Sequence, residues 1–193
     1  MNGKLKAHLA ILAANVIYGV NFFVVKEVVP VYLNPYALSV IRAVGAMIFL
    51  WLSGIWFKKS KVERSDMWKL MVAGVLGVTI NQTLLIAGLS YTSSINASII
   101  MTTNPLFVLV VAWLYLKHKL TFNKFIGISL GATGAILVIS SNGPVKLSSE
   151  TFTGDMLMLA NAITYAIYLV WTKPLMAKYD SITVMRWMFF YGS

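Results

Sequence analysis

"LMVAGVLGVTINQTLLIAGLSYTSSINASIIMTTNPLFVLVVAWLYL", residues 70 to 116, contains no Asp, Glu, Lys, Arg or His. A helix crosses a bilayer in about 20 residues, and a soluble core helix of that length shows charge on some face. The run is 47 residues long (116 − 70 + 1). It must therefore cross a membrane twice, reversing at "SYTSS" (Ser90 to Ser94).

Working outward, apolar segments lie at residues 8–29, 35–57, 67–91, 94–116, 122–141 and 154–172, and a seventh begins near Ile182. Pro30 ends the first, Asn34-Pro35 supplies a cap and a first-turn proline for the second, and Thr121 can cap the fifth. "SSNGPVKLSSE" (Ser140 to Glu150) is a turn-rich linker. The chain is 59% hydrophobic and 11% charged, against about 25% charged in soluble domains. The expected fold class is all-α integral membrane, a multi-pass helical bundle. Lys4 and Lys6 could open a signal peptide, but no A-x-A-like site follows and more spans do, so the first segment reads as a retained helix.

A net charge of +10 would attract nucleic acid, but its distribution points elsewhere. Lys4, Lys6, Lys58, Lys59, Lys61, Arg64, Lys69, Lys117, Lys119, Lys124, Lys173 and Lys178 fall on one side of the membrane, twelve of the sixteen Lys and Arg. Lys26 and Lys146 fall on the other, and Arg42 and Arg186 lie inside spans. The positive-inside rule then places the N-terminus in the cytoplasm. The basic charge encodes topology, and no nucleic-acid partner is expected.

Polar residues inside spans are costly and usually face a bundle interior or a wet cavity. Asn15, Tyr18, Gly19, Phe22 and Lys26 form a stripe on the first span, and Asn161, Tyr165, Tyr168 and Thr172 repeat it on the sixth. Asn81 and Gln82 lie near mid-depth in the third span, and Asn96, Thr103 and Asn104 share a broad face of the fourth. Each could be interhelical glue or pathway lining; together they point to a cavity. Pro105 should bend the fourth span and free the carbonyl of Met101, leaving Asn104 as a polar patch at the bend. Lys26 and Arg42 either snorkel to headgroups or form a cationic outer vestibule. Gly127, Gly131 and Gly134 mark a close-packing face on the fifth span. Asp155 is placed in the first turn of the sixth, where a carboxylate suits the helix dipole.

Set above each other, "AANVIYGVNFFVVK" (Ala13 to Lys26) and "LANAITYAIYLVWT" (Leu159 to Thr172) align at an offset of 146 residues, Asn15 on Asn161. With a shift of two residues Arg42 meets Arg186. Five spans separate the copies, so the sixth runs opposite to the first, an inverted-topology repeat of the kind secondary transporters use.

On these residues the chain resembles the EamA-like branch of the drug/metabolite transporter superfamily. "YGVNFFVVK" (18–26) looks like the family's W-G-s-x-f-x-x-x-K, with Tyr18 where tryptophan is usual, and "NPYALSVIR" (34–42) is similar to its P-x6-R entry. "LSYTSSINASIIMTTNPLFVLVVAWLYLKHKLT" (89–121), "FIGISLGATGAILVI" (125–139) and "TGDMLMLANAITYAIYLV" (153–170) resemble its later helices. His118 stands where the family usually has glutamate. The resemblance implies ten helices in two five-helix repeats, hence residues 1–145 as the first repeat and 146–193 as the start of the second, a truncated piece of a longer protein.

The expected function is secondary transport of a small metabolite, amino-acid-like, with export the direction the resemblance implies, in the cytoplasmic membrane of a bacterium. The proposed pathway comprises Asn15, Tyr18, Phe22, Lys26, Arg42, Asn81, Gln82, Asn96, Thr103, Asn104, Asn161, Tyr165 and Tyr168, with Pro105 as the kink. An intramembrane enzyme acting on a lipid-linked substrate and a helical assembly subunit are the alternatives. The six carboxylates all sit in loops or at helix ends, and no Walker A loop, H-E-x-x-H, Ser/His/Asp set or Cys/His cluster is present. No catalytic residue, metal or cofactor is expected; the partners are a small-molecule substrate and membrane lipid, with a homodimer left open.

Overall fold

The computed structural model describes residues 3–29, 31–54, 60–117, 121–141 and 149–193. Within its helices some side chains also lie outside the described residues, among them those of Asn15, Tyr18, Phe22 and Lys26. Among the described residues every regular element is helical: α1 Gly3–Val28, α2 Pro35–Ser53, α3 Arg64–Gly74, α4 Asn81–Tyr91, α5 Ser94–Thr102, α6 Asn104–Leu116, α7 Phe122–Ser141, α8 Ser149–Lys178 and α9 Ser181–Gly192. A π-helical stretch, Val75–Ile80, joins α3 to α4.

The uncharged run forms two rods that reverse at Thr92 and Ser93. Four rods are long and apolar enough to cross a membrane among the described residues: Pro35–Ser53, Arg64–Tyr91, Ser94–Leu116 and Thr151–Lys178. Their exteriors suit lipid. Leu12, Ile17, Phe49, Leu114, Leu130 and Leu137 are all more than 60% exposed, apolar surface that in water would favour aggregation. Local chemistry sets the helix starts. Asn34 accepts from the Tyr36 N–H at 2.9 Å with Pro35 in the first turn of α2, and Ser93 accepts from the Asn96 N–H at 3.0 Å at the start of α5.

α8 is the organising helix, packed on one side against the Arg64–Tyr91 rod and on the other against α5 and α6. It runs antiparallel to the first rod. Asp155 meets Thr92 at one end, Asn161 meets Asn81 in the middle, and Lys178 meets Asp66 at the other end. α7 lies beyond α5 and α6, α2 packs on α4, and α9 lies against both α2 and α3. Val25 in the last turn of α1 and Val29 just after it pack with Leu85, Leu89 and Met158. A second core at the other end joins Leu70, Ala73, Leu175, Tyr179, Val184 and Met188.

Three expectations are corrected. α8 runs to Lys178, six residues past the expected limit, with Pro174 inside it. The reason is packing: Leu175 and Tyr179 are buried in the second core, which outweighs proline's local penalty. Because α8 also begins earlier, at Ser149, Asp155 is not in its first turn; its carboxylate instead accepts from Thr92 and Asn96. Gly127, Gly131 and Gly134 meet nothing within 4 Å. The close backbone contacts fall at other glycines, Gly154 against the backbone of Tyr91 and Thr92, and Gly74 against the Met188 carbonyl.

Candidate functional site

Halfway along the bundle, two rods that carry polar side chains, Arg64–Tyr91 and Ser94–Leu116, pack on α8. Asn81 of α4 donates from Nδ2 to the Asn161 carbonyl at 3.1 Å, and Asn161 donates from Nδ2 to the Asn81 carbonyl at 2.7 Å. Both are buried. This is a reciprocal clasp, so the two asparagines hold α4 to α8. Beside them the π-helical stretch brings Gly77 against the Tyr168 ring, where a side chain would collide. π-helical turns of this kind often accompany functional sites. Tyr165 and Tyr168 stand with ring centroids 6.2 Å apart on α8.

Two further polar atoms on helices packed against α8 are unsatisfied among the described residues: Gln82 Oε1 on α4 and Asn104 Oδ1 at the start of α6 are buried and have no hydrogen-bond partner there. Leaving a buried carbonyl oxygen without a donor costs roughly 1–3 kcal/mol. Both helices that carry these oxygens pack on α8. Among the described residues, these two oxygens are therefore buried acceptors without donors in the apolar rods.

The reason Asn104 sits there is proline chemistry. Pro105 cannot donate to the carbonyl four residues back, and the rod breaks: α5 ends at Thr102, Thr103 forms a turn, and α6 starts with Asn104 and Pro105. The Met101 carbonyl receives no N–H from Pro105, and at the end of α5 the Thr103 N–H donates to the Ile100 carbonyl at 3.0 Å. The Thr103 hydroxyl donates to the Ile100 carbonyl at 2.6 Å. The expected bend is thus an interruption with its own hydrogen bonds.

The other singled-out residues distribute differently. Asn96 is 3% exposed and donates to both oxygens of Asp155 at 3.2 and 3.1 Å, at the end of the bundle rather than in the central layer. Arg42 is half-buried on α2. Asn15, Tyr18, Phe22 and Lys26 lie outside the described residues as side chains, on the helix α1.

The description "EamA-like transporter family" matches residues 5–140. The chain belongs to the EamA-like transporter family. An EamA-like protein named "Uncharacterized transporter" from Archaeoglobus fulgidus is 29% identical over 190 residues, 97% of this chain and 64% of that protein. "Uncharacterized transporter YyaM" of Bacillus subtilis is 27% identical over 170 residues, 85% of this chain and 54% of its own length. A "Probable terminal-alkyne amino-acid exporter" of Streptantibioticus cattleyicolor is 23% identical over 128 residues, 66% of this chain and 42% of its own length. The chain thus spans about half to two thirds of the length of the first relatives it matches. No solved structure matches it significantly.

At the opposite end from Asp155 this EamA-like bundle holds a polar cluster that no sequence motif marks. Asp66 accepts from Lys69 at 2.7 Å, from Lys178 at 2.8 Å and from the Tyr179 hydroxyl at 2.8 Å. Lys178 and Asp66 are 112 residues apart, so no sequence pattern relates them. Trp171, donating from its indole to the Lys69 carbonyl at 3.1 Å, and Tyr115 border a cleft of about 320 Å³ beside this cluster. Arg186 was visible as a charge inside a span, itself a signal of function, but its surroundings were not.

Proposed function

We propose that the protein is a secondary carrier that exports a small amino-acid-like metabolite across a bacterial cytoplasmic membrane, its N-terminus in the cytoplasm. The observation that carries this reading is the pair of buried oxygens, Gln82 Oε1 and Asn104 Oδ1, that have no donor among the described residues and lie within the apolar rods of an EamA-like bundle. Such acceptors suit a ligand rich in N–H donors, and an ammonium group is the simplest. The amino-acid exporter among the relatives is in keeping with this. In this reading the pathway follows Asn15, Tyr18, Phe22 and Lys26 on α1 and Tyr165 and Tyr168 on α8. Gln82, Thr103 and Asn104 serve as the mid-depth acceptors, with Arg42 toward the outer mouth. Asn81, Asn161 and Asn96 frame it. In the same reading α1 and α8 are the corresponding helices of two inverted repeats, residues 1–145 and residues 146–193.

Liposomes carrying the complete gene product should exchange a labelled zwitterionic amino acid faster than protein-free liposomes. Exchange no faster than the control across a panel of neutral and charged amino acids would overturn the assignment. For orientation, the chain has no native cysteine, so Lys61→Cys and Tyr32→Cys can be read singly. Tyr32 is 79% exposed in the turn after α1. An impermeant thiol reagent on intact cells should label the Tyr32→Cys protein and spare the Lys61→Cys protein; the reverse pattern would invert the topology.

A further inference from the structure

Where α8 gives way to α9, each carboxylate is already engaged. Asp66 is held by Lys69, Lys178 and Tyr179. Glu63 pairs with Lys178 at 2.7 Å. Asp180 accepts from the Ser60 hydroxyl at 2.8 Å and the Thr183 N–H at 2.9 Å. Arg186, in the second turn of α9, has none of them. Among the described residues neither Arg186 nor Lys61 forms an ion pair.

Arg186 is nevertheless 8% exposed. Its guanidinium carbon lies 4.6 Å from the centroid of the Trp51 ring, and the absent side chain of Gly54 makes room for the group. Its Nε is buried with no hydrogen-bond partner among the described residues. The side chain lines a cavity of about 240 Å³ together with Trp51, Ser60, Lys61, Thr183 and Trp187, and no carboxylate is among the lining residues. Arginine does not shed its charge in proteins, and a buried charge without a counter-ion is strongly unfavourable. The Trp51 face supplies part of the compensation through cation–π attraction. A ring face does not satisfy the in-plane Nε–H donor, and a guanidinium edge of this kind fits an oxyanion.

We propose that this cavity is an anion site that takes a phosphate group, with Arg186 as its anchor and Lys61 at its mouth. A planar guanidinium engages two phosphate oxygens at once, and Trp51 fixes the plane in which it does so. The phosphate comes either from a lipid headgroup or from solution, and the same chemistry serves both. The site is separate from the central polar layer and does not rest on the transport assignment.

Thermal unfolding of the protein in a nonionic detergent provides the test. The probes are inorganic phosphate alone, and mixed micelles containing phosphatidylglycerol compared with phosphatidylcholine. The unfolding midpoint should rise with phosphate, which assigns a free anion, or only with phosphatidylglycerol, which assigns a headgroup. Arg186→Gln should weaken the response by about tenfold or more in probe concentration, and Lys61→Gln, on an exposed residue, by about threefold. Should Arg186→Gln fail to fold, Lys61→Gln and Arg186→Lys decide. No rise with either probe, or a rise of wild-type strength in these variants, overturns the proposal.

Discussion

Asn81 and Asn161, 80 residues apart in sequence, each donate a side-chain N–H to the other's backbone carbonyl. The exchange locks α4 against α8 at the depth where water is least available. Because each bond uses one side chain and one backbone oxygen, deleting one amide leaves the other bond's two partners in place. Asn81→Ala and Asn161→Ala should each lower stability by about 0.6 to 1.7 kcal/mol, and the double variant by close to the sum. Chemical denaturation in detergent micelles measures this; a coupling beyond about 0.5 kcal/mol would mean that the helices shift when one bond is lost.

Gln82 and Asn104 behave in the opposite sense. Their buried oxygens lack donors among the described residues, so replacing either residue by Leu removes an unsatisfied group. Gln82→Leu and Asn104→Leu should leave stability unchanged or raise it, by up to about 1–3 kcal/mol, while transport falls at least tenfold. Unfolding and liposome exchange measured on the same preparations separate the two effects. Full exchange activity in both variants would remove these residues from the pathway.

Close packing should show at one glycine and not at another. A Cβ at Gly74 would run into the Met188 carbonyl, backbone that cannot give way as a side-chain tip can. Gly74→Ala should therefore destabilise by about 1–3 kcal/mol through the α3–α9 contact. Gly131 meets nothing within 4 Å, so Gly131→Ala should stabilise α7 by roughly 0.5–1 kcal/mol through lower chain entropy. Equal destabilisation by the two substitutions would contradict the packing described for α7.

Asp180 gives a pH dependence with a definite sign. Burial alone would raise its carboxyl, but hydrogen bonds from Thr183 and Ser60 outweigh it and lower the carboxyl from its ordinary 3.8 to about 2. A depressed folded-state value means stability that is fully present above pH 3.8 and is lost as pH falls toward 2. Asp180 also caps α9. Asp180→Ala should cost about 1 kcal/mol near neutrality, and its deficit relative to wild type should shrink as the pH is lowered through that window. A deficit that does not change between pH values above and within the window would remove the ionised carboxylate from the account.

What the sequence determined by itself was everything that acts within one helix or against one solvent. The uncharged run at 70–116 forced two crossings, because lipid cannot hydrate charge and satisfies no backbone group that a helix leaves open. Asn34 and Pro35 started α2 where their own geometry allows, and Pro105 interrupted its rod because it lacks a donor. The polar residues of the middle layer were also legible as expensive and therefore facing inward.

Tertiary structure alone decided which of them meet. Asn81 could have faced any of several rods; the register of α8 gave it Asn161 and left Gln82, one residue on, without a donor among the described residues. The same register turned Asp155 toward Asn96 and placed Gly154 rather than Gly131 at a backbone crossing. Periodicity names the face of a helix, but the partner depends on how far each rod slides and rotates against its neighbours. That is set by side-chain volumes summed along the whole contact, over residues as far apart as Asp66 and Lys178, and no local pattern in the chain encodes it.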